Sequence, residues 1–194
     1  MGKFRRFIIQ ESTPVKLDDV NKTVGTIPAV AFVGRFQPPT AAHAKIIKQM
    51  QSYSAAKPLL FIVRGEKSGQ DKTKNPFSEK TQKDMIEKST GVKNVIFVPS
   101  AFIGELVHQA RNRKQEIVRL FCGTDRVKGY QSQIDRYKDE LNLDMKIEEI
   151  KRSEEDISAT KVRQAIITND FDTFKKMTTN LDKKDFERLQ KEIK

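Results

Sequence analysis

Short apolar runs alternate with amphipathic stretches along most of this chain. Four runs are rich in branched and aromatic residues: Ala29 to Phe32, Leu59 to Val63, Val95 to Val98 and Ile117 to Cys122. Each has the length of a strand buried on both faces. Met145 to Ile150 is a fifth, more charged run, which suits a sheet edge, whereas the apolar fourth run suits an interior position. Between these runs, apolar residues recur at helical spacing. Ile46, Ile47 and Met50 mark a helix from about Ala42 to Tyr53, and Met85 and Ile86 mark one from Ser78 to about Ser89. Ile103, Leu106, Val107 and Ala110 stripe a helix over Phe102 to Arg113, a basic helix spans Tyr130 to Glu140, and Val162, Ala165 and Ile166 line a helix over Ala159 to Thr168. Two short helices follow, Phe171 to Met177 and Asp185 to Ile193, with Asp182 placed to cap the second. Strand then helix, repeated five times, predicts an α/β domain. Its right-handed crossovers build a five-stranded parallel sheet with helices on both faces.

The pattern also divides the chain. Residues 1–28 read as an N-terminal extension or arm, 29–168 as the α/β domain and 169–194 as a C-terminal helical extension. Within the arm, Lys3 to Ile9 suits a short helix or an edge strand, and Pro14 ends whatever precedes it. Arg64 to Phe77 is a long charged loop containing Gly65, Gly69 and Pro76, a length that marks a functional or disordered segment.

The 194 residues suit one domain with a full core. Lys plus Arg is 37 against 26 Asp plus Glu, a net charge of +11, which favours polyanionic partners. Arg126, Lys128, Arg136 and Lys138 cluster on the basic helix, but without a recognised nucleic-acid motif they argue only weakly for nucleic acid. Cys122 is the sole cysteine. It excludes an internal disulfide, fits a reducing cytoplasmic setting and offers no metal cluster. No apolar run approaches the ~20 residues of a membrane span, and a secretory signal is not expected.

Candidate chemistry gathers where the first strand ends. Gly34 closes the apolar run, a proline-rich turn follows, and a helix begins, so Arg35, Thr40 and His43 stand at a strand's carboxyl end beside a helix N-terminus. That is where α/β proteins bind ligands. The stretch Gly34-Arg35-Phe36-Gln37-Pro38-Pro39-Thr40-Ala41-Ala42-His43 resembles the first signature of the nucleotidylyltransferase superfamily, which carries H-x-G-H or T-x-G-H. Its Gly-Arg-Phe-Gln-Pro lead-in looks most like nicotinamide-mononucleotide adenylyltransferases. Ile157-Ser158-Ala159-Thr160-Lys161-Val162-Arg163 resembles the second signature, I-S-x-T-x-x-R. Gly123-Thr124-Asp125 resembles the family's G-x-D element, and Asn75-Pro76-Phe77 before a helix is similar to the adenylyltransferase pattern.

The resemblance covers about Ile27 to Ile167 and implies a Rossmann-like fold. It implies transfer of AMP from ATP to a phosphate acceptor, with nicotinamide mononucleotide foremost, and release of pyrophosphate. Sugar phosphates, phospholipid precursors and pantetheine phosphate remain open as acceptors. Magnesium would travel on the ATP phosphates, with no protein metal site. Thr40 and His43 would donate to phosphates, Arg163 would grip the β- and γ-phosphates, and Ser158 and Thr160 would open the second helix. Arg35 would flank the phosphates or the acceptor, and Asp125 would accept from ribose, base or an ordering partner. Gly34, Phe36, Gly123 and Ile157 complete the implied nucleotide site. Lys67, Lys72 and Lys74 would form a triphosphate lid or an ordinary solvated loop. One departure stands out: Ala42 occupies the place of the motif glycine. The rival expectation is therefore a degenerate nucleotide-binding or virion structural protein. Separately, Met1 to Glu11, ending in Ile9-Gln10-Glu11, resembles the capsid-targeting peptides of tailed phages. Cleavage would follow Glu11, and the protein would be packaged in the capsid interior. Many relatives form homo-oligomers.

Overall fold

Ala29, Val30, Ala31 and Phe32 are buried on both sides, and this run becomes the central strand of the sheet. The computed structural model describes residues 27–65, 71–151 and 158–193. Elements follow in the order β1 (Ile27–Gly34), α1 (Ala41–Gln51), β2 (Lys57–Val63), α2 (Glu79–Thr90), β3 (Val95–Val98), α3 (Ile103–Arg111), β4 (Gln115–Gly123), α4 (Thr124–Tyr137), β5 (Lys146–Ile150), α5 (Ala159–Ile167), α6 (Phe171–Met177) and α7 (Lys183–Glu192). The strands form one parallel sheet in the order β3-β2-β1-β4-β5. The interior β4 and the edge β5 stand where their apolar and charged patterns put them. Residues 1–26 of the expected arm, including the cleavage point after Glu11, lie outside the described residues, and Ile27 and Pro28 open β1.

Alternation along β1 divides the core. Ala29 and Ala31 face one side with Leu59, Phe61, Leu120 and Cys122, against Leu106 and Val107 of α3 and Tyr130 and Ile134 of α4. Val30 and Phe32 face the other side with Leu60, Ile62 and Phe121, against Ile47 and Met50 of α1 and Ile86 of α2. The chain winds from β1 outward to β3, then returns to place β4 on the opposite flank of β1. The gap between the carboxyl ends of β1 and β4 is thus a topological switch point. Both strands end in glycine there, Gly34 and Gly123, two residues past the paired Phe32 and Phe121.

The largest boundary correction is α4, which starts at Thr124 and not near Tyr130. Its first turn, Thr124-Asp125-Arg126, is polar, so apolar periodicity begins to register only at Val127 and Tyr130. Asp125 therefore sits in a first helical turn directly after β4.

The C-terminal helices pack firmly. Phe174, Leu181, Phe186 and Leu189 form a third cluster with Phe77, Met85 of α2 and Val162, Ala165 and Ile166 of α5. Lys88 bonds Asp182 and Asp185 at 2.7 and 2.6 Å, and Arg188 bonds Asp84 at 2.9 Å. Glu192 accepts from the Ser78 N–H at 2.8 Å, steadying the start of α2. Leu189 is 0% exposed. Leu189→Ala should cost about 3 kcal/mol through lost burial and a residual cavity, read as a lowered urea midpoint.

The same interface carries a pH dependence. Hydrogen bonding from Lys88, then from the Asp185 N–H, holds the Asp182 carboxyl at about 2, below its ordinary 3.8. Between those values the unfolded chain binds a proton that the folded chain refuses, so this contribution is present above the window and lost as pH falls through it. Urea midpoints should therefore drop more between pH 5 and pH 2 in the wild type than in Asp182→Asn.

Candidate active site

The loop from β1 to α1 runs through the interior. Phe36, Gln37, Pro38, Pro39 and Thr40 are all buried, while Arg35 is exposed. Thr40 is the N-cap of α1, with extended backbone (φ −116°, ψ 168°). Its hydroxyl accepts from the His43 N–H at 3.4 Å, and its own N–H donates to His43 Nδ1 at 3.0 Å. This is a capping box with histidine in the place usually held by Glu or Gln. A backbone N–H can only donate, so Nδ1 accepts, and the neutral ring then carries its proton on Nε2 as a donor. Thr40 is 1% exposed, and its hydroxyl faces the His43 ring, with Oγ1 3.0 Å from Nδ1.

Phe36 is the seat of that ring. The Phe36 and His43 centroids are 4.7 Å apart with a 41° tilt, and Phe36 meets Phe32 edge-on at 5.4 Å. Phe36 is 1% exposed and adopts φ 49°, a left-handed conformation that costs about 1–3 kcal/mol for such a residue. Packing into the core offsets that cost. Gly34 is required by the same ring, because a Cβ there would lie 2.9 Å from it. Both residues, expected as nucleotide contacts, are thus engaged in building the floor beneath His43.

Four side chains bind the loop to its surroundings. Gln37, 2% exposed, accepts from the Phe77 N–H at 3.1 Å and donates to the Phe77 carbonyl at 3.3 Å. Gln82 of α2, 1% exposed, donates to the Arg35 carbonyl at 2.6 Å and the Phe36 carbonyl at 3.4 Å. Arg64, just past β2, donates to the Phe77 carbonyl and to Gln82 Oε1, both at 2.9 Å. Arg163 of α5 donates to the Gln37 carbonyl at 2.7 Å and to Thr160 Oγ1 at 3.1 Å. Gln37, Arg64 and Gln82 were given no role from sequence. Gln82 did leave a signal: a polar residue on the helical face that buries Met85 and Ile86.

Arg163 joins the two signatures in space. Burial lowers its pKa most, the nearby Arg35 charge lowers it further, and Asp71 opposes both. Two guanidiniums close enough to repel one another make a field that an anion relieves. Ser158 caps α5 by accepting from the Lys161 N–H at 3.2 Å, and Ser158 and Thr160 are solvent-exposed at that helix start. The start of α5 thus faces the loop leading into α1, so two helix N-termini border the same region.

The remaining expected residues are more dispersed. Gly123 ends β4, and Thr124 donates to Glu149 at 2.7 Å. The Asp125 side chain is 70% exposed, 3.5 Å from Arg126, and borders an open groove of about 560 Å³. Phe102, Arg126, Tyr130, Gln133 and Arg136 line the same groove. Lys72 and Lys74 lie exposed in a turn organised by Asp71, which accepts from the Thr73 and Lys74 N–H groups and pairs with Lys74 at 3.1 Å. A hydrogen bond from the Thr73 hydroxyl, then one from the Lys74 ammonium, holds the Asp71 carboxyl at about 2. Ile157 and Lys67 lie outside the described residues. Lys128 is exposed on α4, and Arg136 lies over the Tyr137 ring. Ala42 is half-buried in the first turn of α1. Among the described residues, no three His, Cys, Asp or Glu side chains gather as metal ligands, and no helix is long and apolar enough to cross a membrane.

The fold defines a class: Rossmann-like α/β domains with a five-stranded parallel sheet and helices on both faces. Comparison with known families is specific on the next step. The chain belongs to the cytidylyltransferase-like family, which matches residues 31–165, and so to a group of nucleotidyltransferases. Solved structures share the fold at low identity. One is Thermotoga maritima TmcAL bound with alpha-thio ATP, with TM-score 0.55 and 11% identity over 87% of this chain; the match spans 56% of that protein's length. Two others are Plasmodium falciparum nicotinic acid mononucleotide adenylyltransferase, complexed with APC (TM-score 0.54, 13% identity) and with NaAD (0.53, 12%). Each of these two matches covers 86% of this chain and 96% of the other. Comparison with curated protein sequences gives no match.

Thr40→Val keeps the shape but removes the capping oxygen. It should lower stability by about 1 kcal/mol in urea titrations.

Proposed function

We propose that this protein transfers AMP from magnesium ATP to a phosphate-bearing acceptor, with nicotinamide mononucleotide or its acid as the leading candidate, and releases pyrophosphate. The observation that carries this reading is Arg163 bonded to the Gln37 carbonyl, which brings the second signature onto the loop leading into the helix that carries His43. An acceptor phosphate oxygen attacks the α-phosphorus. The bond from that phosphorus to the bridging oxygen breaks, and pyrophosphate departs with its electron pair. No covalent protein intermediate is needed; the work is alignment and stabilisation of charge growing on oxygens. His43, with its proton on Nε2, donates to an α-phosphate oxygen. Thr40 and Phe36 hold its ring. Arg163 and Arg35 take the β- and γ-phosphates, where a guanidinium fork matches two oxygens. Magnesium belongs to the substrate.

The groove beside Asp125 suits the acceptor. Phe102 and Tyr130 give it aromatic walls, and Arg126 and Arg136 suit a phosphate. The adenylyltransferase among the structural neighbours, complexed with NaAD, supports a pyridine nucleotide over other acceptors.

A second reading, nucleotide binding without turnover, rests on Ala42. A methyl group in the first turn of α1 stands where the resembled T-x-G-H signature has glycine, and a ~1 Å displacement of the phosphates could cost about 100-fold in rate.

Pyrophosphate release across a panel of phosphate acceptors separates the two. Turnover on a pyridine mononucleotide, with a dinucleotide product by mass, is the expected result. Saturable ATP binding with no turnover on any acceptor would favour the second reading. His43→Ala should lower the transfer rate at least ~100-fold through the lost donor, and an unchanged rate would remove His43 from the chemistry. Arg163→Ala should raise the KM for ATP by roughly tenfold or more, with a smaller effect on the KM for the acceptor.

A further inference from the structure

We propose that Gln37 is a positioning residue that joins Arg163 and the segment ending at Phe77 into one phosphate-responsive unit. The inference rests on the reading of Arg163 as a triphosphate ligand. Three stretches remote in sequence meet at this side chain: the loop before α1, the segment before α2, and α5. The Gln37 amide pairs with both main-chain groups of Phe77, one bond in each direction. The carbonyl of the same residue accepts from Arg163 at 2.7 Å. Side chain and carbonyl share one α-carbon, so a shift of either is felt by the other.

Burial makes the link stiff. Gln37 is 2% exposed and Phe77 1%, so water cannot readily replace a broken bond. Arg64 and Gln82 act as further struts, since Arg64 donates to the Phe77 carbonyl and Gln82 holds the carbonyl of Arg35. Both phosphate-facing arginines are therefore tied to one network. Upstream of Phe77, the Asn75 N–H donates to the Asp71 carbonyl at 2.8 Å, closing the turn that carries the exposed Lys72. Asp71 also acts on Arg163 electrostatically. A triphosphate that settles on Arg163 thus meets a guanidinium whose position is set through Gln37, and its binding stabilises the Asp71–Phe77 segment through the same residue. Only glutamine serves here: asparagine is one carbon short, glutamate cannot donate to the Phe77 carbonyl, and leucine can do neither.

The test is a binding cycle on the full chain with Gln37→Leu, Arg163→Ala and the double variant. ATP affinity is measured by calorimetry, and trypsin cleavage after Lys72 and Lys74 is followed with and without ATP. Gln37→Leu should weaken ATP binding roughly tenfold, and most of that loss should vanish in the Arg163→Ala background, as expected for residues acting through one another. ATP should slow cleavage after Lys72 and Lys74 in the wild type but not in Gln37→Leu. Gln37→Glu, which keeps the acceptor for the Phe77 N–H, should fall between wild type and Gln37→Leu and serves if the leucine variant does not fold. Equal losses with and without Arg163, or unchanged ATP affinity in both Gln37 variants, would overturn the proposal. Wild-type ATP binding without pyrophosphate release would instead defeat the transfer reading, and the cycle would still decide on Gln37.

Discussion

An irregular loop buried in a protein must find hydrogen-bond partners for its backbone, and this requirement shapes the whole site. From Phe36 to Thr40 the chain is buried and pairs with no strand among the described residues. The carbonyls of Arg35, Phe36 and Gln37 are satisfied by side chains from α2 and α5. Those donors, Gln82 and Arg163, are therefore structural and site-forming at once. Arg163 closes the loop through Nη1 on the Gln37 carbonyl and holds Thr160 Oγ1 through Nη2. The local strain follows from the same geometry: Phe36 turns through a left-handed conformation so that its ring can lie beneath His43, and Gly34 leaves room for it.

The C-terminal helices belong to this economy of contacts. They cover the outer faces of α2 and α5, the two helices that supply Gln82 and Arg163. A shift of either helix by a fraction of a hydrogen-bond length would move a donor off the loop. The ion pairs of Lys88 and Arg188 and the Glu192 contact at Ser78 fix α7 against α2 at several points along its length. What reads in sequence as an appendage is, in the fold, a brace for α2 and α5.

Electrostatics give the site its polarity. The chain carries +11 overall, yet net charge says little about where an anion binds. The informative feature is local: Arg163 is partly desolvated and lies in the field of Arg35, while Asp71 only partly compensates. Two helix N-termini border the same space. Positive charge that is only partly compensated favours an anion nearby.

The order of strands and helices and the interior and edge character of β4 and β5 could be read from residue pattern, because alternation and helical spacing are local properties with fixed periods, while the two signatures were legible as a resemblance to a family. The start of α4 was not legible, because its polar first turn follows Gly123, which offers no capping side chain. Nor were Gln37, Arg64 and Gln82, since a glutamine or arginine looks the same in sequence whether it faces water or a buried carbonyl. By itself the sequence determined which segments could be strands, which helices, and which residue types were available for phosphate chemistry. Only the tertiary structure decided that Arg163 reaches the loop before α1, that the ring of Phe36 supports His43, and that residues 169–193 brace α2 and α5. Those outcomes depend on burial and on partners far along the chain, and long-range hydrogen bonding leaves no periodic trace in a one-dimensional pattern.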